Sequence, residues 1–250
     1  MPMVRDGIFR VVSLNVCRLR PRSRRGQVRA RCLDQLLGGL DADLVALQEL
    51  EHDGGDFSGI PGPLGGSMHL ALGNHSPSGT RGAGLLSRSP FLEQRDGRLP
   101  ARRRDDKGYV RVIVSPPALG RAVEVIALHL DPFSRRARQR QIEALARDLG
   151  TASMPRIVAG DLNAMSARAF LAGRDHDETV AALADSLGVR PGPAVKTFPN
   201  RFPRFALDWV LASDDLALEG LRAVRADFSD HAALVADVGL AAAPTNQGAS

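Results

Sequence analysis

The chain has 250 residues, 44% of them hydrophobic, which is enough for one sizeable core, and no apolar run approaches the eighteen residues of a membrane span. Cys17 and Cys32 stand alone at no metal-site spacing, so a disulfide framework and a thiolate metal site are excluded and both are expected as reduced core or near-core residues. The net charge of +5 rests almost wholly on arginine, a composition that a GC-rich genome also produces, so placement of the cations says more than their total.

The first six residues are expected to fray. Val11-Val12-Ser13-Leu14 then reads as a buried strand closing on Asn15. Arg18, Arg20, Arg22, Arg24 and Arg25 follow, and a helix takes over in which Val28, Cys32 and Leu36, with Leu33, Leu37 and Leu40, keep a helical period. Asp43 to Gln48 is the next apolar run and closes on Glu49. His52, His69, His75 and His176 show no acid-rich spacing and are expected in surface loops. Gly82-Ala83-Gly84 lacks the third glycine of a dinucleotide fingerprint and reads as a strand start.

Lys107-Gly108-Tyr109-Val110-Arg111 begins another strand, preceded by Arg102, Arg103 and Arg104. Val125-Ile126-Ala127-Leu128 closes on His129, followed by Arg135, Arg136, Arg138 and Arg140. Ile142, Leu145, Ala146 and Leu149 form a helix stopped by Gly150. Ile157 to Gly160 closes on Asp161-Leu162-Asn163, and Val180, Leu183, Ala184 and Leu187 make a further helix before Gly188. Two late strands reverse the pattern: Asp208 opens Trp209-Val210-Leu211, and Ser229-Asp230-His231 opens Ala232 to Ala236.

Six strands therefore carry polar residues near one end each. For those ends to meet, the last two strands must run opposite to the first four, which calls for mixed or antiparallel sheets and argues against an all-parallel nucleotide-binding arrangement. Singly, each polar residue has an ordinary reading: Asp208 as a turn residue, Asp161 as an Asx turn, His129 as a core histidine. Each arginine cluster likewise reads as a solvated helix face or as a set of forks for phosphate oxygens at the rim.

In order, Ser13-Leu14-Asn15-Val16, Leu47-Gln48-Glu49, Leu128-His129-Leu130, Gly160-Asp161-Leu162-Asn163, Leu207-Asp208-Trp209 and Ser229-Asp230-His231 resemble the endonuclease/exonuclease/phosphatase superfamily, which is DNase I-like in fold. The resemblance spans roughly residues 8 to 240. It implies a four-layer αββα sandwich, two mixed β-sheets face to face with helices outside, as one domain over residues 1–240; the tail over 241–250, with its Pro, Thr, Asn, Gln and Gly, is expected to be flexible. Glu49 looks like the principal metal ligand, with Asn15 beside it and Asp230 adding to the coordination. Asp161 is similar to the residue that orients or deprotonates the attacking water, Asn163 to its phosphate-positioning partner, and His231 to the imidazole at the scissile phosphoryl group, its tautomer fixed by Asp208. His129 would be a second phosphate ligand or acid. Either Asp161 or His231 remains open as the general base.

The acids and amide oxygens in this set are hard donors that suit Mg²⁺ or Mn²⁺ better than zinc. His129 stands where abasic-site endonucleases carry tyrosine, and Cys17 where they carry an acid, so a repair role of that kind is disfavoured. Arg138 and Gln141 resemble a family pattern that ties a helix to the rim, and Thr197-Phe198-Pro199 resembles a segment preceding the Asp208 strand.

The expected activity is a Mg²⁺- or Mn²⁺-dependent phosphoesterase, nuclease favoured, with Arg24, Arg25, Arg135 and Arg136 contacting a nucleic acid. A lipid or small-molecule phosphoesterase is the first alternative, weakened by an aromatic content of only 4% and no evident exposed aromatic hairpin. A non-catalytic nucleic-acid-binding module is the second, and it would have lost a ligand or the Asp-His pair. A soluble, cytoplasmic monomer without stable membrane association is expected.

Overall fold

A computed structural model describes residues 7–20, 23–51, 66–73, 81–101 and 107–242. The elements are, in order, β1 (Phe9–Leu19), α1 (Arg24–Leu40), β2 (Leu44–Glu51), β3 (His69–Leu72), β4 (Arg81–Ser87), β5 (Phe91–Arg98), β6 (Gly108–Val114) and β7 (Val123–His129). There follow α2 (Arg135–Leu149), β8 (Arg156–Asp161), α3 (Ala167–Leu171), α4 (Thr179–Leu187), β9 (Arg190–Pro191), β10 (Asp208–Ala212), β11 (Leu216–Val224) and β12 (Ala233–Leu240).

Two six-stranded sheets result, ordered β11-β12-β1-β2-β4-β3 and β5-β6-β7-β8-β10-β9. The pairs β1/β2 and β7/β8 are parallel, each joined through a helix, and β12 and β10 lie antiparallel to β1 and β8. The late strands thus run opposite to the early ones, as a shared polar rim requires.

Side-chain alternation builds three apolar layers from these strands. Val11, Ala46, Val125, Ala159, Val210 and Leu234 face the other sheet, forming the central layer. Their neighbours Val12, Val45 and Val235 face outward onto Leu33 and Leu37 of α1. On the second sheet, Ile126, Val158 and Leu211 pack against Ile142 and Leu145 of α2 and Leu183 of α4. The αββα sandwich follows, and burial on both faces explains why the central strands read as unbroken apolar runs.

Ser23 caps α1, its Oγ accepting from Gly26 N at 2.9 Å, and α4 ends at Gly188 in the left-handed region. The buried stripe of α1 is Gly26, Ala30, Leu33, Leu37 and Leu40, so the expected Val28 to Leu36 row is displaced and Val28 is 62% exposed. His69 lies in a strand, β3, and not in a loop. The expected residues His52, His75, Arg22 and Arg102 to Arg104 lie outside the described residues, as do 1–6 and most of the tail. Ala241 is fastened, donating to Asp215 O at 2.9 Å.

Gly160 pairs with Leu128 across β8 and β7, and a Cβ there would stand 2.0 Å from Leu128 O. Backbone cannot yield as a side-chain tip can. Gly160→Ala is expected to destabilise the protein by about 1–3 kcal/mol, the usual cost of overpacking, read as a lower urea midpoint. A midpoint equal to wild type would show that the two strands are not pressed together there.

Candidate active site

Strand register assembles half of the site. Gly108 pairs with His129, His129 with Asp161, and Asp161 with Asp208, so β6, β7, β8 and β10 present one transverse row at their common end. Alternation continues Val125 and Ala127 into His129, Ile157 and Ala159 into Asp161, and Val210 back into Asp208, so all three project into the space between the sheets.

Asn15 of β1 and Glu49 of β2 supply the facing half. Alternation from Ala46 would put Gln48 inward and turn Glu49 away. The chain instead takes a positive φ of 59° at Glu49, with the pairing register of β2 shifting there. Asn15 Nδ2 then reaches both Glu49 Oε1 at 3.3 Å and Asp161 Oδ2 at 3.0 Å, bridging the sheets. Of the five non-glycine residues with positive φ among the described residues, Cys17, Arg18, Glu49 and Asn163 all lie at this rim; the fifth, Asp41, caps α1. Backbone strain concentrated at one end of the fold marks a built site.

The Asn15 amide is oriented by Cys17 N, which donates to Oδ1 at 2.9 Å. Its NH₂ group therefore faces the carboxylates, and the expected oxygen donor is engaged elsewhere. Asp161 does form an Asx turn, its Oδ1 accepting from Asn163 N at 2.9 Å, and Asn163 Nδ2 donates to Leu130 O at 3.0 Å. The turn fixes the Asp161 carboxylate and holds the Asn163 amide beside it.

His231 Nδ1 donates to Asp208 Oδ2 at 2.8 Å, and Thr197 Oγ1 donates to the same oxygen at 2.5 Å. Nε2 of His231 is left pointing inward, 3.9 Å from Asp161 Oδ2. Ser229 Oγ donates to Asn15 O at 2.6 Å and accepts from His231 N, which fastens the segment before β12 to β1. Burial disfavours a charged His231, but the adjoining Asp208 carboxylate and its hydrogen bond outweigh that and push the imidazole up to about 10. Burial, with the charge of Asp208 adding, pushes Asp161 up to about 6 against the opposing pull of His231, Asn15 and Lys107.

Lys107 is a member of the site that sequence reasoning placed only as a cation near a strand start. It is buried, with Nζ 2.6 Å from His129 Nε2, and His129 Nε2 lies 3.7 Å from Asp161 Oδ2. An ammonium can only donate, so in this contact the His129 ring nitrogen is the acceptor. Its position directly before Gly108, the register partner of His129, is the signal that finds it. Thr197, read from the sequence only as part of the segment preceding the Asp208 strand, is the second such residue.

Asp230 is exposed and lies beside Cys17. Burial pushes the Cys17 thiol up, and the charges of Asp230 and Glu49 push it further, which places this cysteine among the expected metal-binding acids as a protonated, poor ligand. Arg24 and Arg25 are exposed in the first turn of α1, after the site end of β1, and Arg135 and Arg136 are exposed in the first turn of α2. Arg135 lies 3.6 Å from Glu178. Arg138 is fully buried, donating to Thr179 Oγ1, Asp131 O, Met165 O and Asp177, and Gln141 accepts from Asp131 N, so both brace the rim loops. Tyr109 points to the outer layer, its hydroxyl donating to Asp148, away from the site.

Glu49, Asp161, Asp208 and Asp230 lie on the cleft, and Asp208 Oδ1 is buried with no hydrogen-bond partner among the described residues. Ligand atoms of Asp161, Asp208 and His231 lie within 4.8 Å of one another. The hydrogen bond to His231 engages Asp208 Oδ2, so Asp208 Oδ1 joins Glu49 and Asp161, on either side of Asn15 Nδ2, as the oxygens a cation could take. This donor set is anionic and hard, and it fits a divalent metal.

Two mixed six-stranded sheets in an αββα sandwich, with a carboxylate, imidazole and amide cluster between the sheet ends, define a DNase I-like protein. The endonuclease/exonuclease/phosphatase family profile matches residues 12–231, and the chain belongs to that family, whose members are in general hydrolytic phosphoesterases that use divalent metals. No curated protein sequence matches the chain significantly. Among solved structures, it is similar to an endonuclease/exonuclease/phosphatase from Bacteroides vulgatus, with TM-score 0.70 and 17% identity over 93% of this chain and 99% of that one. It is also similar to the human Nocturnin catalytic domain with a bound sulfate anion, at TM-score 0.69 and 21% identity over 94% and 95% of the two chains. D. rerio TDP2 complexed with a single strand DNA product gives TM-score 0.69 and 17% identity over 94% and 100%. At these identities the likeness shows the fold.

Proposed function

We propose that the protein is a Mg²⁺- or Mn²⁺-dependent phosphodiesterase acting on nucleic acid. The observation that carries this is the transverse row of Lys107, His129, Asp161 and the Asp208-His231 pair set opposite Asn15 and Glu49. A divalent ion held by Glu49 and Asp161, with Asp230 at the lip, would neutralise phosphate oxygens. Lys107 and His231 add fixed positive charge where the phosphoryl group carries its own negative charge. Asp161, kept in place by Asn163 N and Asn15 Nδ2, is positioned to orient a water, and His129 is positioned as a phosphate contact.

Exposed Arg24 and Arg25 favour a polyanionic substrate over a small one, and a single-stranded DNA product is bound by the similarly folded D. rerio TDP2. No helix among the described residues is long and apolar enough to cross a membrane. Both cysteines are free, in keeping with a reducing, cytoplasmic setting.

The test is a panel with purified protein and Mg²⁺ or Mn²⁺: plasmid, single strands, oligoribonucleotide, sphingomyelin, inositol phosphates and a chromogenic diester. Nucleic acid is expected to be the best substrate. Binding of oligonucleotide to an Asp161→Asn variant should fall steeply with salt, and replacing Arg24 and Arg25 with Ala should reduce the log-log slope by about 0.7–0.9 for each phosphate that is no longer neutralised. Preferred hydrolysis of sphingomyelin or an inositol phosphate, with weak and salt-insensitive oligonucleotide binding, would overturn the nuclease assignment.

A further inference from the structure

Residues Phe198-Pro199-Asn200-Arg201-Phe202-Pro203-Arg204-Phe205 alternate aromatic rings with arginines, directly beside the site. The segment doubles back on itself: Phe198 N donates to Phe205 O at 3.1 Å and Phe205 N to Phe198 O at 2.9 Å, an antiparallel bridge that puts the two side chains on one face. Ala232 N donates to Thr197 O, and Ala206 N to Asp175 O, which anchors both ends of the hairpin to the rim loops.

From this bridge a row of rings leads outward from the reaction centre. The Phe198 ring lies 4.9 Å from the imidazole of His231, Phe205 is its bridge partner, and the Phe170 ring of α3 lies 5.9 Å from that of Phe205. Phe170 is 57% exposed and Phe202, at the hairpin tip, 72% exposed. Such rings gain nothing from the core. Arg201, Arg204 and, on α3, Arg168 are exposed on the same segments and make no ion pair among the described residues.

We propose that this row is a stacking platform for unpaired nucleobases, and that the substrate is single-stranded nucleic acid whose cleaved phosphate lies at His231 while the neighbouring bases rest on Phe198, Phe205 and Phe170. The inference rests on the phosphodiesterase reading above and names the form of the nucleic acid. Rings spaced between unneutralised arginines match a strand in which bases alternate with phosphates. In a duplex both faces of each base are covered by its neighbours, so only an unpaired base can use such a platform. A lipid surface would also meet cations and exposed apolar groups. The row, however, starts at the catalytic imidazole and runs along the rim, tracking a chain substrate in a way that membrane docking does not require.

The test compares affinities in the presence of Mg²⁺ for the catalytically silent Asp161→Asn protein. The probes are a labelled oligothymidylate, a strand of equal length and charge built from abasic tetrahydrofuran spacers, a duplex of the same length, and phosphatidylserine vesicles. The thymidylate should bind about 5- to 150-fold tighter than the abasic strand, the range that one base-aromatic stack is worth, and also tighter than the duplex. Adding Phe170→Ala, a change at an exposed position, should reduce that difference by the share of one stack, leaving what Phe198 and Phe205 contribute. The substrate-side comparison needs no second variant to fold. Equal affinity for the two strands, or a difference that Phe170→Ala leaves unchanged, overturns the platform; if the active enzyme still cleaves oligonucleotides, the nuclease reading stands without it. Failure to bind or cleave any strand, with tight binding to vesicles, overturns both and assigns the rings and arginines to a lipid surface.

Discussion

His231→Ala lowers kcat on whatever phosphoester the protein accepts by about 10²-fold or more, the usual range for a positioned acid-base or phosphate-stabilising group, and Asp208→Asn added to it costs little further. The two side chains form one unit. Asp208 Oδ2 accepts from His231 Nδ1 at 2.8 Å and from Thr197 Oγ1 at 2.5 Å, all three groups being buried, so this oxygen is committed to fixing the ring. Once the imidazole is gone there is nothing left for it to orient, and the single-mutant losses must be strongly non-additive. Kinetics of both single variants and the double variant decide the matter, with near-ultraviolet circular dichroism confirming that each is folded. Losses that multiply fully would mean that Asp208 acts on the reaction independently of His231.

The central strands and their terminal polar residues are legible in the sequence because each is buried on both faces, so the apolar run stops where the polar rim begins. The strands that sequence does not reveal, β3, β5, β9 and β11, are the four sheet edges. Each has one neighbour. Phe91–Arg98 shows the consequence, since almost every side chain from Leu92 to Arg98 is exposed and its composition, Leu-Glu-Gln-Arg-Asp-Gly-Arg, carries no core signal. Composition also misleads on the exposed aromatic hairpin: nine phenylalanines are few, but several of them gather on one rim. Lys107 is hidden for a different reason. Its role depends on the β6/β7 register, a non-local property, and a lysine following three arginines reads as surface charge. Nor does alternation foretell Glu49, which reaches the cleft only through a positive φ and a slip in pairing.

Chelation should have the largest effect of all. Activity on any phosphoester is expected to vanish in EDTA and to return with Mg²⁺ or Mn²⁺. Glu49 and Asp161 meet across one amide group, Asp230 stands at the lip, and burial together with Asp208 already raises Asp161 to about 6, so the carboxylates crowd their negative charge at a single point. A cation that binds only the folded protein stabilises it by RT ln(1 + [L]/Kd), about 2.7 kcal/mol at a hundredfold excess over Kd, which gives a readout independent of turnover. Wild type should therefore show a rise in Tm on adding Mg²⁺ or Mn²⁺. Glu49→Ala removes one carboxylate from a like-charged group while Asn15 keeps its 3.0 Å bond to Asp161, so the metal-free variant should melt no lower than metal-free wild type. Its affinity for metal should fall by more than the 10- to 100-fold that outer-shell partners alone command, flattening the Tm response over the same concentrations. Full activity in excess chelator would remove the metal from the reaction, and an undiminished Tm response in Glu49→Ala would move the metal away from Glu49 toward the other acids of the cleft.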